Sequence, residues 1–130
     1  MIEFNIQSRS GVPAYMQIVQ QVRQAIQLGI LAPGDQLPTV KEVVAGVAIN
    51  PNTVLKAYRE LDLEGLVDGR RGVGTFVAEG VVSLPPKDID ALRKSLAKWV
   101  AEARGAGLDD ESMSALFAAS VDPRGTLRVA

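Results

Sequence analysis

The chain has 130 residues and contains neither cysteine nor histidine. The first absence excludes disulfides and thiolate ligands. The second excludes imidazole metal sites and any nucleophile activated by histidine. No apolar run approaches the roughly 18 residues that a membrane span requires. The opening residues, MIEFNIQSRSG, lack the basic start and apolar core of a signal peptide. The chain reads as soluble and cytoplasmic, and no metal, cofactor or membrane partner is expected. Charge of one sign is also lacking, because the formal net charge is −1. Residues 1–78 hold seven Lys/Arg and seven Asp/Glu. That balance argues against indiscriminate coating of nucleic acid, so any affinity for DNA must come from a few well-placed cations.

The most strongly punctuated stretch is 48–65, AINPNTVLKAYRELDLEG. Asn50 is a good helix N-cap, Pro51 suits the first helical position, and Gly65 suits the C-terminal end. Val54, Ala57, Tyr58 and Leu61 stand at i, i+3, i+4 and i+7, which predicts one buried stripe. Asn52, Leu55, Lys56 and Arg59 lie off that stripe, with Thr53 beside them in the first turn. Such a helix suits a groove of DNA, where its free amides meet phosphate and its side chains meet base edges. A solvated amphipathic helix with ordinary caps is the plainer reading.

Ahead of it, Ile2, Phe4 and Ile6 alternate with polar residues, as in a short half-buried strand or an extended arm. Pro13 opens a helix running to about Leu28 and stopping at Gly29. Its apolar positions are Tyr15, Ile18, Val19, Val22 and Ile26, with glutamines and Arg23 on the remainder. Pro33-Gly34-Asp35 marks a turn, and Gln36-Leu37 is long enough only for a sheet-edge stub. Thr39 and Glu42 fit a capping box, which starts a short helix ending near Val47. Two close helices, the second with an exposed polar start, make a helix-turn-helix arrangement. Residues 66–69 and 75–78 are β-prone and flank Arg70-Arg71-Gly72-Val73-Gly74, so they read as a hairpin. A hairpin directly after such a helix is a wing, whose arginines can reach phosphate or the minor groove. An exposed hairpin with arginines for solubility is the alternative.

Residues 79–86 form a proline-bearing linker. A helix follows over 87–104, with Ile89, Leu92, Leu96, Trp99, Val100 and Ala103 in one stripe. Asp109 caps a last short helix carrying Met113, Leu116 and Phe117 on one face. Two short helices cannot build a core alone, so they pack back on the first domain or against a second copy. The second copy is favoured, with Leu92, Leu96, Trp99, Val100, Met113, Leu116 and Phe117 at the interface. Trp99 as an ordinary intrachain core residue remains open. The expected organisation is mainly α with a small β-wing: a winged helix-turn-helix over 1–78, the linker, a two-helix dimerisation region over 87–119, and a frayed tail over 120–130.

Several stretches together resemble the GntR family of bacterial winged-helix transcription regulators. They are Pro13-Ala14-Tyr15 through Gln24, Gly29, Pro33-Gly34 and Leu37 through Glu42. They continue in Asn50-Pro51-Asn52-Thr53-Val54, Ala57-Tyr58, Leu61, Glu64-Gly65-Leu66, Arg70-Arg71-Gly72 and Gly74-Thr75-Phe76-Val77. The likeness covers about 12–78 with order and spacing kept. The short remainder resembles the YtrA type, whose small C-terminal part serves dimerisation and which is often associated with control of transporter genes. By this resemblance Lys41 matches a DNA-contacting cation at the start of the second helix. Asn50, Asn52, Thr53 and Lys56 match the polar start of the recognition helix, and Arg71, Gly72 and Gly74 match the wing, where Arg70 and Thr75 flank them. Two positions depart from the family pattern: Ala48 stands where glycine is common, and Leu55 where arginine is frequent.

The expected function is that of a homodimeric, sequence-specific regulator, read as a repressor, on a short inverted repeat in double-stranded DNA. A protein-interaction module is the second reading. It is less favoured because protein interface cores are depleted in lysine and enriched in aromatics. An enzyme is the weakest reading, since pairs such as Asp109-Asp110 need only a capping role. A small-molecule effector is left open, as no residue cluster announces one.

Overall fold

The computed structural model describes residues 2–82 and 84–122. It divides into two compact units, Met1–Pro86 and Lys87–Ala130. In the first unit the helices are α1 (Ala14–Gln27), α2 (Val40–Val47) and α3 (Pro51–Leu63), followed by strands β1 (Val67–Arg70) and β2 (Gly74–Val77). α4 (Pro86–Gly105) starts at the last residue of the first unit and runs on in the second, which also holds α5 (Asp110–Val121). Residues 123–130 of the expected tail lie outside the described residues, and α5 carries regular helix up to Val121.

The stripe expected on α3 is the one that is buried: Val54, Ala57, Tyr58 and Leu61. Ile18, Val19, Val22 and Ile26 of α1 meet it in one core with Leu37, Val43, Val67 and Val77. Burying a side chain such as Leu61 stabilises the fold by about 1.5–3 kcal/mol. Tyr58 is buried too, and its hydroxyl donates to the Pro38 carbonyl at 2.6 Å. That bond ties the middle of α3 to the residue preceding the Thr39 cap. Burial, and secondarily the Glu42 carboxylate, push the Tyr58 phenol above its ordinary range.

Caps fix the helix starts. Thr39 accepts from the Glu42 amide at 3.1 Å while the Glu42 carboxylate accepts from the Thr39 amide at 3.1 Å, a complete capping box. These bonds favour the ionised carboxylate and hold Glu42 below the usual range. Asn50 accepts from the Asn52 amide at 2.8 Å. Between the two helices Ala48 adopts φ 40 and ψ 52, the left-handed region, and is the one non-glycine residue there among those described. The alanine that stands in place of glycine at position 48 therefore falls where a side chain is strained.

The hairpin pairs Val67 with Val77 and Arg70 with Gly74, in antiparallel register. The stub expected at Gln36-Leu37 forms an isolated bridge to Phe76, with Leu37 N–H donating to the Thr75 carbonyl at 2.8 Å. β2 is thus bonded along both edges.

The N-terminal residues take the arm form of the two that the alternation allows. Phe4 is buried, with Ile2 and Ile6 half-buried against the core. Of the glutamines placed off the apolar stripe of α1, Gln17 is buried. Its side-chain oxygen accepts from the Gln7 amide at 2.7 Å and its nitrogen donates to the Gln7 carbonyl at 2.8 Å. Gln21 binds the Asn5 amide and carbonyl in the same manner, at 2.9 and 2.7 Å. Four residues of helix rise about 6 Å and two of extended chain about 6.7 Å. Two helical glutamines can therefore stand in for a neighbouring strand.

In the second unit Asp109 caps α5 by accepting from the Ser112 amide at 2.8 Å, which holds its carboxyl low. Ile89, Ala103 and Met113 are buried, and Trp99 and Val100 are half-buried. Leu92, Leu96, Leu116 and Phe117 remain exposed. The stripe is therefore only partly covered within the chain.

Candidate nucleic-acid interface

The residues singled out from the sequence gather on two elements of the first unit, α3 with its approach and the hairpin. Asn52, Leu55, Lys56 and Arg59 are exposed on α3, while Thr53 is half-buried. Asn50 is exposed, but its side-chain oxygen is committed to the cap. Lys41 is exposed in the first turn of α2. At the hairpin tip, Val73 N–H donates to the Arg70 carbonyl at 2.9 Å and closes a turn through Arg71 and Gly72. Gly72 has φ +76, which L side chains rarely adopt. At Gly74 φ is +144, which strains any L side chain, and a Cβ would fall 2.5 Å from the end of the Gln36 side chain, which would have to move. The stub thus packs against the wing where the wing lacks a side chain.

Two of the cations are already held within the protein. The Lys56 ammonium lies 4.0 Å from the centre of the Tyr15 ring, joining α3 to α1. The Arg70 guanidinium lies 4.6 Å from the centre of the Phe76 ring. Arg71, Lys41 and Arg59 have no such partner among the described residues. Tyr15, expected in the buried stripe of α1, is half-buried, packed against the core with Lys56 over its ring.

An open groove is lined by Thr39 together with residues 69–75, and Thr75 is half-buried along it. Thr39 was legible only as a cap, and what places it beside the wing is the bonding of Leu37 to β2. With Arg70, Arg71, Gly72, Gly74 and Thr75 it forms a surface able to take phosphate through hydroxyl, backbone amides and guanidinium. Among the described residues no helix is long and apolar enough to cross a membrane, and no cluster of His, Cys, Asp or Glu could hold a metal.

Three helices, a left-handed turn before α3 and a two-stranded hairpin after it define a winged helix-turn-helix. Residues 14–77 match the family described as "Bacterial regulatory proteins, gntR family". The chain is 38% identical over 109 residues to the HTH-type transcriptional repressor YtrA of Bacillus subtilis (strain 168), covering 83% of this chain and 84% of that one. The chain belongs to the GntR family. Among solved structures, YtrA from Sulfolobus acidocaldarius, a GntR-family transcription factor, is similar with TM-score 0.54 and 25% identity, over 95% of this chain and 100% of that one. AraR(DBD) in complex with operator ORX1 is similar at TM-score 0.54 and 25% identity, over 60% of this chain and 100% of the other.

Proposed function

We propose that the protein is a homodimeric transcription repressor that binds an inverted repeat in double-stranded DNA. The observation that carries this is the exposed face of α3, bearing Asn52, Leu55 and Arg59, beside a hairpin whose Arg71 is free. α3 would enter the major groove by its N-terminal half, the position from which a recognition helix reads bases. Lys41 and Arg71 would anchor it on phosphates, with Thr39, Gly72, Gly74 and Thr75 lining the approach. Asn50 would act through its cap, and Thr53 and Lys56 at the edge of the contact. The similar AraR(DBD) fold is solved in complex with an operator, which supports DNA as the partner of this surface.

The dimer reading rests on Leu92, Leu96, Leu116 and Phe117, four exposed apolar side chains in one small unit. Trp99, Val100 and Met113 line a cleft with Leu96 and Phe117, and a second copy would close it. A two-fold dimer presents two recognition helices related by symmetry, so its operator is an inverted repeat. The YtrA-type likeness extends the reading to control of transporter genes, which the genes adjoining this one would test. The direct experiment is selection of bound duplexes from a random pool with the full chain. Enrichment of one inverted motif supports the proposal, and a pool that stays random rejects it.

A further inference from the structure

The recognition face of α3 is unusual in what it offers to bases. Leu55 is 44% exposed in the second turn of α3, off the buried stripe. The helix's other exposed large hydrophobic, Leu63, is its last residue. Three residues ahead of Leu55, the Asn52 carboxamide makes no hydrogen bond among the described residues. Within the first two turns Lys56 is the sole cation, and its ammonium is stacked on Tyr15. Arg59 lies a turn further from the end that approaches the bases. The face nearest the bases thus presents one amide, one apolar side chain and no free guanidinium.

We infer that Asn52 and Leu55 read neighbouring A·T pairs, Asn52 through an adenine and Leu55 through a thymine C5-methyl. This rests on the DNA-binding reading above. An asparagine amide matches the adenine N6 donor and N7 acceptor, and an apolar side chain covers the thymine methyl. A leucine offers guanine no hydrogen bond, and guanine's N7 and O6 would lose water against it without replacement. Side chains three residues apart are displaced by about 4.5 Å along the helix. Successive base pairs are displaced by roughly 3.4 Å, so the two side chains reach adjacent steps.

The methyl can be removed without touching the protein. The full wild-type chain and Leu55→Ala are each titrated with the operator selected from a random pool, carrying thymine or uracil at the A·T position in each half-site. For the wild-type chain, uracil should weaken binding about fourfold per half-site, the worth of one buried methyl. For Leu55→Ala the thymine and uracil duplexes should bind alike, and its selected motif should lose the preference there. Asn52→Ala should relax the adjacent adenine position. Equal binding of thymine and uracil duplexes by the wild-type chain at every A·T position overturns the inference and leaves the regulator reading standing. A selected core made of G·C pairs overturns it in the same way. Failure to select any motif removes the regulator reading itself.

Discussion

Replacing Ala48 by glycine should stabilise the protein, although it removes a methyl group and loosens the unfolded chain. Ala48 joins α2 to α3 at φ 40 and ψ 52. Its Cβ there approaches the following carbonyl, a clash worth roughly 1–2 kcal/mol for an L-residue. Ala48 is exposed and belongs to no core cluster, so glycine loses little packing. Against the relief stands the greater freedom of glycine in the unfolded chain, about 0.4–1 kcal/mol. The difference is roughly 0–1.6 kcal/mol, centred near 0.8 kcal/mol. For a domain of this size that raises Tm by roughly 2–6 °C. Two residues earlier the reverse holds: Gly46 is helical, with open space at its missing Cβ. Gly46→Ala should add about 0.5 kcal/mol from helix propensity, less than mid-helix because it lies near the end of α2. Thermal unfolding of both single variants and the double variant, followed by circular dichroism, measures all three. A lowered Tm for Ala48→Gly would refute the reading of this turn as strained.

Other outcomes follow from single contacts. Tyr58→Phe leaves the buried Pro38 carbonyl without its donor and should cost about 1–3 kcal/mol, measured by urea unfolding. Because the folded-state pKa of Tyr58 is raised, its contribution is full below the ordinary tyrosine value of about 10 and is lost as pH rises beyond it. Tyr58→Phe should therefore flatten the alkaline loss of stability. Glu42 has a lowered pKa, so its stabilisation is present at neutral pH and lost as pH falls through the carboxylate range. Melting curves of Glu42→Gln should show a shallower acid decline than wild type. Leu96→Ala combined with Trp99→Ala should sediment as a monomer and bind DNA much more weakly, since one half-site then acts alone. Unchanged sedimentation would locate the interface elsewhere.

The first unit was largely legible because its determinants are local. The Asn50 and Thr39 caps, and the spacing from Val54 to Leu61, act within a turn or two of themselves. The arginines at the hairpin tip are equally local. What escaped is tertiary. Gln17 and Gln21 lie off the apolar stripe of α1, and nothing local shows that the arm of 2–7 lies alongside them to be bound. Lys56 and Arg70 read as free cations, but Tyr15 and Phe76, distant in sequence or across the hairpin, take them up. In the second unit, helical spacing marked a stripe but could not say how much of it the chain covers. Ile89 and Ala103 are buried while Leu92 and Leu96 between them are exposed.

Whether Lys41 and Arg71 hold DNA phosphates is read out by the salt dependence of binding to a selected duplex. Each phosphate neutralised by Lys41, Arg71 or a neighbour contributes about 0.9 to the slope of log K against log salt. A steep negative slope is expected for the full chain. Arg71→Ala should weaken binding to all sequences and reduce that slope by about one unit. Binding that ignores salt, or an Arg71→Ala variant with wild-type affinity and slope, would contradict it.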